Sequence, residues 1–119
     1  MIAADHRAGY ARGLVAETIA AWWLRLKGYR ILASRHRTPL GEIDLIARRG
    51  HSLVFVEVKA RATLEAGLEA IAADGYRRIE AAADLYVAAH PKLADLDIRF
   101  DLVVISPGRL PRHVVNVFF

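Results

Sequence analysis

Apolar residues near the start of the chain recur at Val15, Ile19, Trp22 and Leu26, the i, i+4, i+7, i+11 spacing of a helix, and Gly28 follows where a helix would end. This spacing predicts a helix over 13–27. Its opposite stripe, Glu17, Ala20, Ala21 and Leu24, is apolar apart from the acid. The helix is therefore apolar on two sides, and Glu17 is embedded among small neighbours. Trp22 and Trp23 are adjacent and project about 100° apart, so only one can enter a given core; the other falls at an edge or a subunit contact.

Beyond Gly28 the pattern shortens to that of strands. Residues 29–33 read as a short strand, and Thr38-Pro39-Leu40-Gly41 breaks the chain. Two richer strands follow, 42–48 and 52–59, around the hairpin signal Arg49-Gly50-His51. In the first, Ile43, Leu45 and Ala47 share one face and Glu42, Asp44 and Ile46 the other; in the second, Val54, Val56 and Val58 oppose Leu53, Phe55, Glu57 and Lys59. After a loop over 62–67, a helical stretch runs to about His90, where Pro91 stops it, and Gly75 marks a kink or its start. A β-rich run over 98–105, the turn Ser106-Pro107-Gly108 and a last strand over 114–119 complete the chain. The predicted order, α-β-β-β-α-β-β, is that of an α/β domain with a mixed sheet flanked by helices.

Length and composition narrow the class. At 119 residues, 55% of them hydrophobic, the chain suffices for one domain with its own core, with residues 1–10 read as a flexible terminus. The absence of cysteine excludes disulfides, thiolate zinc sites and cysteine nucleophiles, and fits a reducing compartment. With neither a signal-peptide pattern nor a run approaching ~20 apolar residues, a cytoplasmic protein without a membrane span is expected. The net charge of +4 is unevenly placed: residues 1–61 carry 11 Lys/Arg against 5 Asp/Glu, giving +6, and 62–119 carry 6 against 8, giving −2. Arg25, Lys27, Arg30, Arg35 and Arg37 follow one another with no acid between them, a run suited to phosphates or simply to a solvated helix end and loop. Tyr10 and Tyr29, near that run, suit base stacking or core packing alike. The five histidines, His6, His36, His51, His90 and His113, do not form a metal-ligand set by spacing.

Polar residues punctuate the central strands. Glu57 and Lys59 share a face. Asp44 joins them only if the hairpin pairs residues whose numbers add to an odd sum: 99, with a two-residue Arg49-Gly50 connection, sets it diagonal to Glu57, and 101, with a four-residue connection, sets it opposite. A regular three-residue connection separates the two acids. Carboxylates within ~4 Å repel by about 4 kcal/mol at an effective dielectric of 20, so a charged pair implies a cation between them. Hard oxygen donors without cysteine suit Mg²⁺ or Mn²⁺, with Lys59 placed to orient water or stabilise phosphate charge in phosphodiester hydrolysis. Glu17 adds a carboxylate if the first helix packs across the same sheet face, and Glu42 lies one pleat from Asp44. The plainer alternative is a cross-strand ion pair on a wet sheet face.

Glu17 with Ala20, Leu24, Gly28-Tyr29 and Ile31-Leu32, then Gly41-Glu42-Ile43-Asp44-Leu45-Ile46-Ala47, Phe55-Val56-Glu57-Val58-Lys59-Ala60-Arg61 and Arg99-Phe100-Asp101, resemble the YraN family of bacterial proteins. That family is similar in pattern to archaeal Holliday-junction resolvases and the wider PD-(D/E)XK nuclease superfamily. The resemblance implies a restriction-endonuclease-like fold and a Mg²⁺- or Mn²⁺-dependent endonuclease acting on nucleic acid, DNA above all. By the same resemblance Asp44 and Glu57 are the two acids, Lys59 the lysine, Glu17 a helix-borne acid of the metal site, and the Val58 carbonyl a further metal ligand. Arg61, Arg77 and Arg78 join the basic run as nucleic-acid contacts, and a homodimer follows by analogy with a two-fold junction. Three positions depart from the pattern: Ile43 replaces proline, Ala16 replaces glycine, and Gly75-Tyr76 replaces a Lys-Gln pair, with Arg77 the substitute by position. A module that binds nucleic acid without turnover is the alternative function.

Overall fold

The computed structural model describes the backbone of residues 2–118 and the side chains of residues 13–118. The readings of His6 and Tyr10 lie outside those side chains. The elements are α1 (Ile2–Leu26), β1 (Arg30–Thr38), β2 (Gly41–Arg49), β3 (Ser52–Ala60), α2 (Leu64–Asp74), α3 (Tyr76–Ala89), a 3₁₀ turn (Pro91–Leu93), β4 (Asp97–Ile105) and β5 (Arg112–Val114). The five strands form one sheet in chain order, antiparallel throughout except for the parallel pair β3 and β4, which α2 and α3 connect. This is the expected mixed α/β sheet flanked by helices.

Two cores lie on its two faces. Leu53, Phe55, Phe100, Leu102 and Val104 meet Ile71 of α2 and Ile79, Ala82, Ala83 and Tyr86 of α3. On the other side Val54, Val56, Val103, Leu45 and Ala47 meet Ala20, Ala21 and Leu24 of α1. Alternation along β3 thus feeds both layers. It slips once in β2, where Ile43 joins the α3 layer together with Ile46. The chain changes phase across Asp44, just where pairing with β3 stops at Leu45↔Val56.

Several sequence expectations need correction. α1 begins at Ile2, well before residue 13, and it buries the stripe that carries Glu17. The regular stripe is the wet one: Val15, Ile19, Trp22 and Leu26 are 58%, 40%, 60% and 78% exposed, whereas Ala20 and Leu24 are fully buried. Small residues win this face because alanines let the helix backbone lie close on the valine-rich sheet. The helical stretch ending near His90 is two helices. Thr63 caps the first, accepting from the Ala66 N–H at 3.1 Å, and Gly75, at φ 85°, breaks the chain between Asp74 and Tyr76. β1 is longer than 29–33 and runs to Thr38, where the Thr38 hydroxyl accepts from the Leu40 and Gly41 N–H groups and closes a tight turn that the proline had suggested was a break. The last strand is Arg112–Val114, and residues beyond it turn, with Asn116 at φ 57°.

Candidate functional site

The β2–β3 hairpin turns at Gly50-His51 and pairs Arg49 with Ser52, so paired numbers sum to 101. The favourable register is reached through a two-residue turn instead of a four-residue one, because Gly50 takes φ 58°. Asp44 stands one step past the last pair, level with Glu57. Freed from the ladder, its Oδ2 accepts the Val58 N–H at 2.8 Å. Val58 therefore engages the site through its amide N–H, and its side chain packs in the α1-side core.

Glu57 is 8% exposed, and its Oε1 has no hydrogen-bond partner among the described residues; the same holds for Oε1 of Glu17. Burial, and then the neighbouring Asp44 carboxylate, push the Glu57 carboxyl up to about 9. Burial raises Asp44 as well, against the opposing effects of the Val58 N–H and Lys59. Burial and Asp44 raise Glu17 too. Asp44 is thus the carboxylate that raises both of the others.

Glu17 arrives by a different route from the one expected. α1 packs on the face opposite Phe55 and α3, yet Glu17 lines the same cavity as Asp44 and Glu57. The result is an open-ended cavity of about 270 Å³ in which Glu17, Glu42, Asp44 and Glu57 meet Asp74, Arg35, Gly75 and Arg78. Lys59 sits beside the acids, lowering both Asp44 and Glu57, and is held in an ion pair by Asp74 at the end of α2. Arg35, at φ 50°, faces Glu17 at 3.8 Å.

The sequence reading missed Asp74, although the Asp74-Gly75 helix break marks a chain reversal that brings an acid to the sheet end. For Asp101 a local cap or pair is all the sequence suggests; the structure gives it a local pair with Arg99 and a wider buried network besides. Arg99 donates to both carboxylate oxygens of Asp101 at 2.9 and 2.8 Å, and to the Tyr29 hydroxyl at 2.6 Å. His113 Nε2 lies 2.7 Å from Asp101, Lys27 donates to His113 Nδ1 at 2.6 Å, and the Asn116 N–H donates at 2.9 Å. Burial alone would raise the Asp101 carboxyl, but its bonds to His113, Arg99 and the Asn116 N–H hold it below the usual carboxylate range. Tyr29 is buried in this network, the packing role rather than the stacking one.

The basic run is divided by the fold. Arg35 lines the acid cavity, and Arg37 pairs with Glu42 at 3.6 Å beside it. At the far end of α1, Arg25 covers the Trp22 ring at 4.9 Å, Lys27 is committed to His113, and Arg30 pairs across strands with Arg48. Arg61 turns back to the Ala60 carbonyl at 2.8 Å. Of Arg77 and Arg78, Arg78 lines the cavity, so the position matched by sequence is not the one facing the acids.

Residues 16–105 match the sequence profile of Uncharacterised protein family UPF0102. The chain belongs to this family. The matched stretch takes in Glu17, Asp44, Glu57, Lys59, Asp74 and Asp101 and stops short of His113. UPF0102 proteins similar over most of their length include one of Bartonella bacilliformis, 52% identical over 96% of this chain and 93% of its own. One of Chelativorans is 55% identical over 92% of this chain and 88% of its own, and one of Mesorhizobium japonicum 53% identical over 98% and 93%. This is the family to which the YraN-like segments pointed. Among the described residues no helix is long and apolar enough to cross a membrane.

Proposed function

We propose that this UPF0102 protein is a metal-dependent nuclease hydrolysing phosphodiester bonds in DNA or structured nucleic acid, with Asp44 and Glu57 as ligands for Mg²⁺ or Mn²⁺. The observation that carries the reading is the partnerless Oε1 of Glu57, a nearly buried carboxylate oxygen beside a second carboxylate. Such an oxygen needs a proton or a cation. The donor set fits a hard divalent ion in chemical type: oxygens of Asp44, Glu57 and Glu17, to which the resemblance adds the Val58 carbonyl. When bound, the ion supplies Lewis-acid stabilisation of phosphate charge. The Val58 N–H fixes the Asp44 carboxylate, Glu57 holds a proton until a cation displaces it, and Lys59 is the cation placed to orient the attacking water or meet phosphate oxygens. Cleavage of a four-way DNA junction with Mn²⁺ tests this: Asp44→Asn and Lys59→Ala should abolish it without change of fold. Cleavage by both variants at the parent rate refutes the assignment.

A second reading, a nucleic-acid-binding module without turnover, is favoured by one observation. Gly75, where the resemblance expects one of a Lys-Gln pair, lines the acid cavity and brings it no side chain. Calorimetry with Mn²⁺ separates the two, since the module binds DNA but not the ion.

A further inference from the structure

The cations around the acid cavity are nearly all committed. Arg35 faces Glu17, Lys59 is held by Asp74, and Arg37 pairs with Glu42. Arg78 differs: it is exposed, and among the described residues it has no carboxylate within ion-pair reach even though five line the same cavity. It also lines a second, adjoining groove of about 410 Å³ beneath the β1–β2 turn, shared with Arg37, Thr38 and Gly41. Arg78 is thus an exposed guanidinium of the cavity lining that the described acids leave unengaged, and it stands where the two concavities meet.

Its place is set by backbone packing. A Cβ added at Gly41 would fall 2.7 Å from the carbonyl oxygen of Arg78 and 3.3 Å from its carbonyl carbon, and a helix backbone cannot yield to it. Gly41 is needed for this close approach of α3 to the start of β2. The first residue of the Gly41-to-Ala47 segment thus acts at one remove from the acids, by seating Arg78.

We propose that Arg78 and the groove beside it form a second phosphate subsite, which grips the nucleic-acid backbone next to the phosphate presented to the acids. This rests on the nuclease reading above. The other cations of the cavity are already paired with its acids, so a strand led into it requires an uncommitted cation at the rim, and a guanidinium offers phosphate two parallel donors. Arg37 neutralises Glu42, the acid shared with that groove, and so leaves the subsite net basic.

The test is fluorescence anisotropy of the full chain with a labelled four-way DNA junction over a range of salt, beside calorimetry with Mn²⁺ alone. Arg78→Ala should weaken binding about 10-fold and reduce the log–log salt slope by about 1, with Mn²⁺ bound at least as tightly as by the parent and Tm unchanged. Arg78→Lys should recover the slope, and Gly41→Ala should lose it as Arg78→Ala does. Parental affinity and slope in Arg78→Ala would overturn the subsite while leaving the nuclease reading intact. A parent chain that binds no nucleic acid would overturn both.

Discussion

Lys59, on β3, is held by Asp74, the last residue of α2, so the cation of the site is tied to the helix break at Gly75. On the proposed nuclease reading Asp74 positions Lys59. Asp74→Asn should lower kcat for Mn²⁺-dependent junction cleavage by about 10-fold, the equivalent of roughly 1.4 kcal/mol, and leave KM within about two-fold. Steady-state kinetics check this. An unchanged kcat would show that Lys59 needs no such hold.

The raised Glu57 carboxyl carries a sign for stability. Its folded value, about 9, lies above the unfolded 4.5, so the native state holds a proton that the unfolded chain gives up between those values. Stability of the metal-free protein should therefore fall as pH rises from about 5 towards 9, by at most about 1.4 kcal/mol per unit from this group. Glu57→Gln should flatten that slope and be the more stable chain at pH 8, as read by urea unfolding at several pH values.

Asp101 is 1% exposed and satisfies Arg99, His113 and the Asn116 amide at once. Asp101→Ala should cost about 3 kcal/mol in urea unfolding, because it strands a half-buried guanidinium and frees the turn after β5. It should leave Mn²⁺ affinity within two-fold, since none of these partners lines the acid cavity.

The two stripes of α1 make opposite predictions. Leu24→Ala should destabilise by about 3 kcal/mol, as a cavity in a closed core does, whereas Trp22→Ala, on a side chain 60% exposed, should cost less than about 0.5 kcal/mol. The homodimer expected by analogy would find its apolar surface on this stripe. Sedimentation velocity then should show association in the parent that Trp22→Ala loses.

That helix also shows what a sequence conceals. Periodicity identified it and drew attention to the acid among alanines, yet regular spacing could not say which of two apolar faces would be covered. The answer depended on how closely alanines let α1 approach Val54 and Val56. The strands were easier, because alternation and an odd hairpin sum confine Asp44 and Glu57 to one side, and the hairpin obliged with 101. What lay beyond reach was everything assembled between elements. Asp74 comes from a helix break, Arg78 takes its place from contact with Gly41, and Asp101 gathers partners from β4, β5 and the last turn. No local pattern encodes those distances. The split basic run has the same cause, since β1 sets Arg30 opposite Arg48 but runs Arg35 past Asp44, between the Ser34–Leu45 and His36–Ile43 pairs.

The central claim is that Asp44 and Glu57 jointly hold a divalent ion, and titration calorimetry of the parent chain with Mn²⁺ tests it most directly. At pH 7, in two buffers of different ionisation enthalpy, one ion should bind with release of close to one proton, drawn from Glu57, and Asp44→Asn and Glu57→Gln should each abolish binding. Binding that survives both substitutions, or no binding in the parent, would contradict the account.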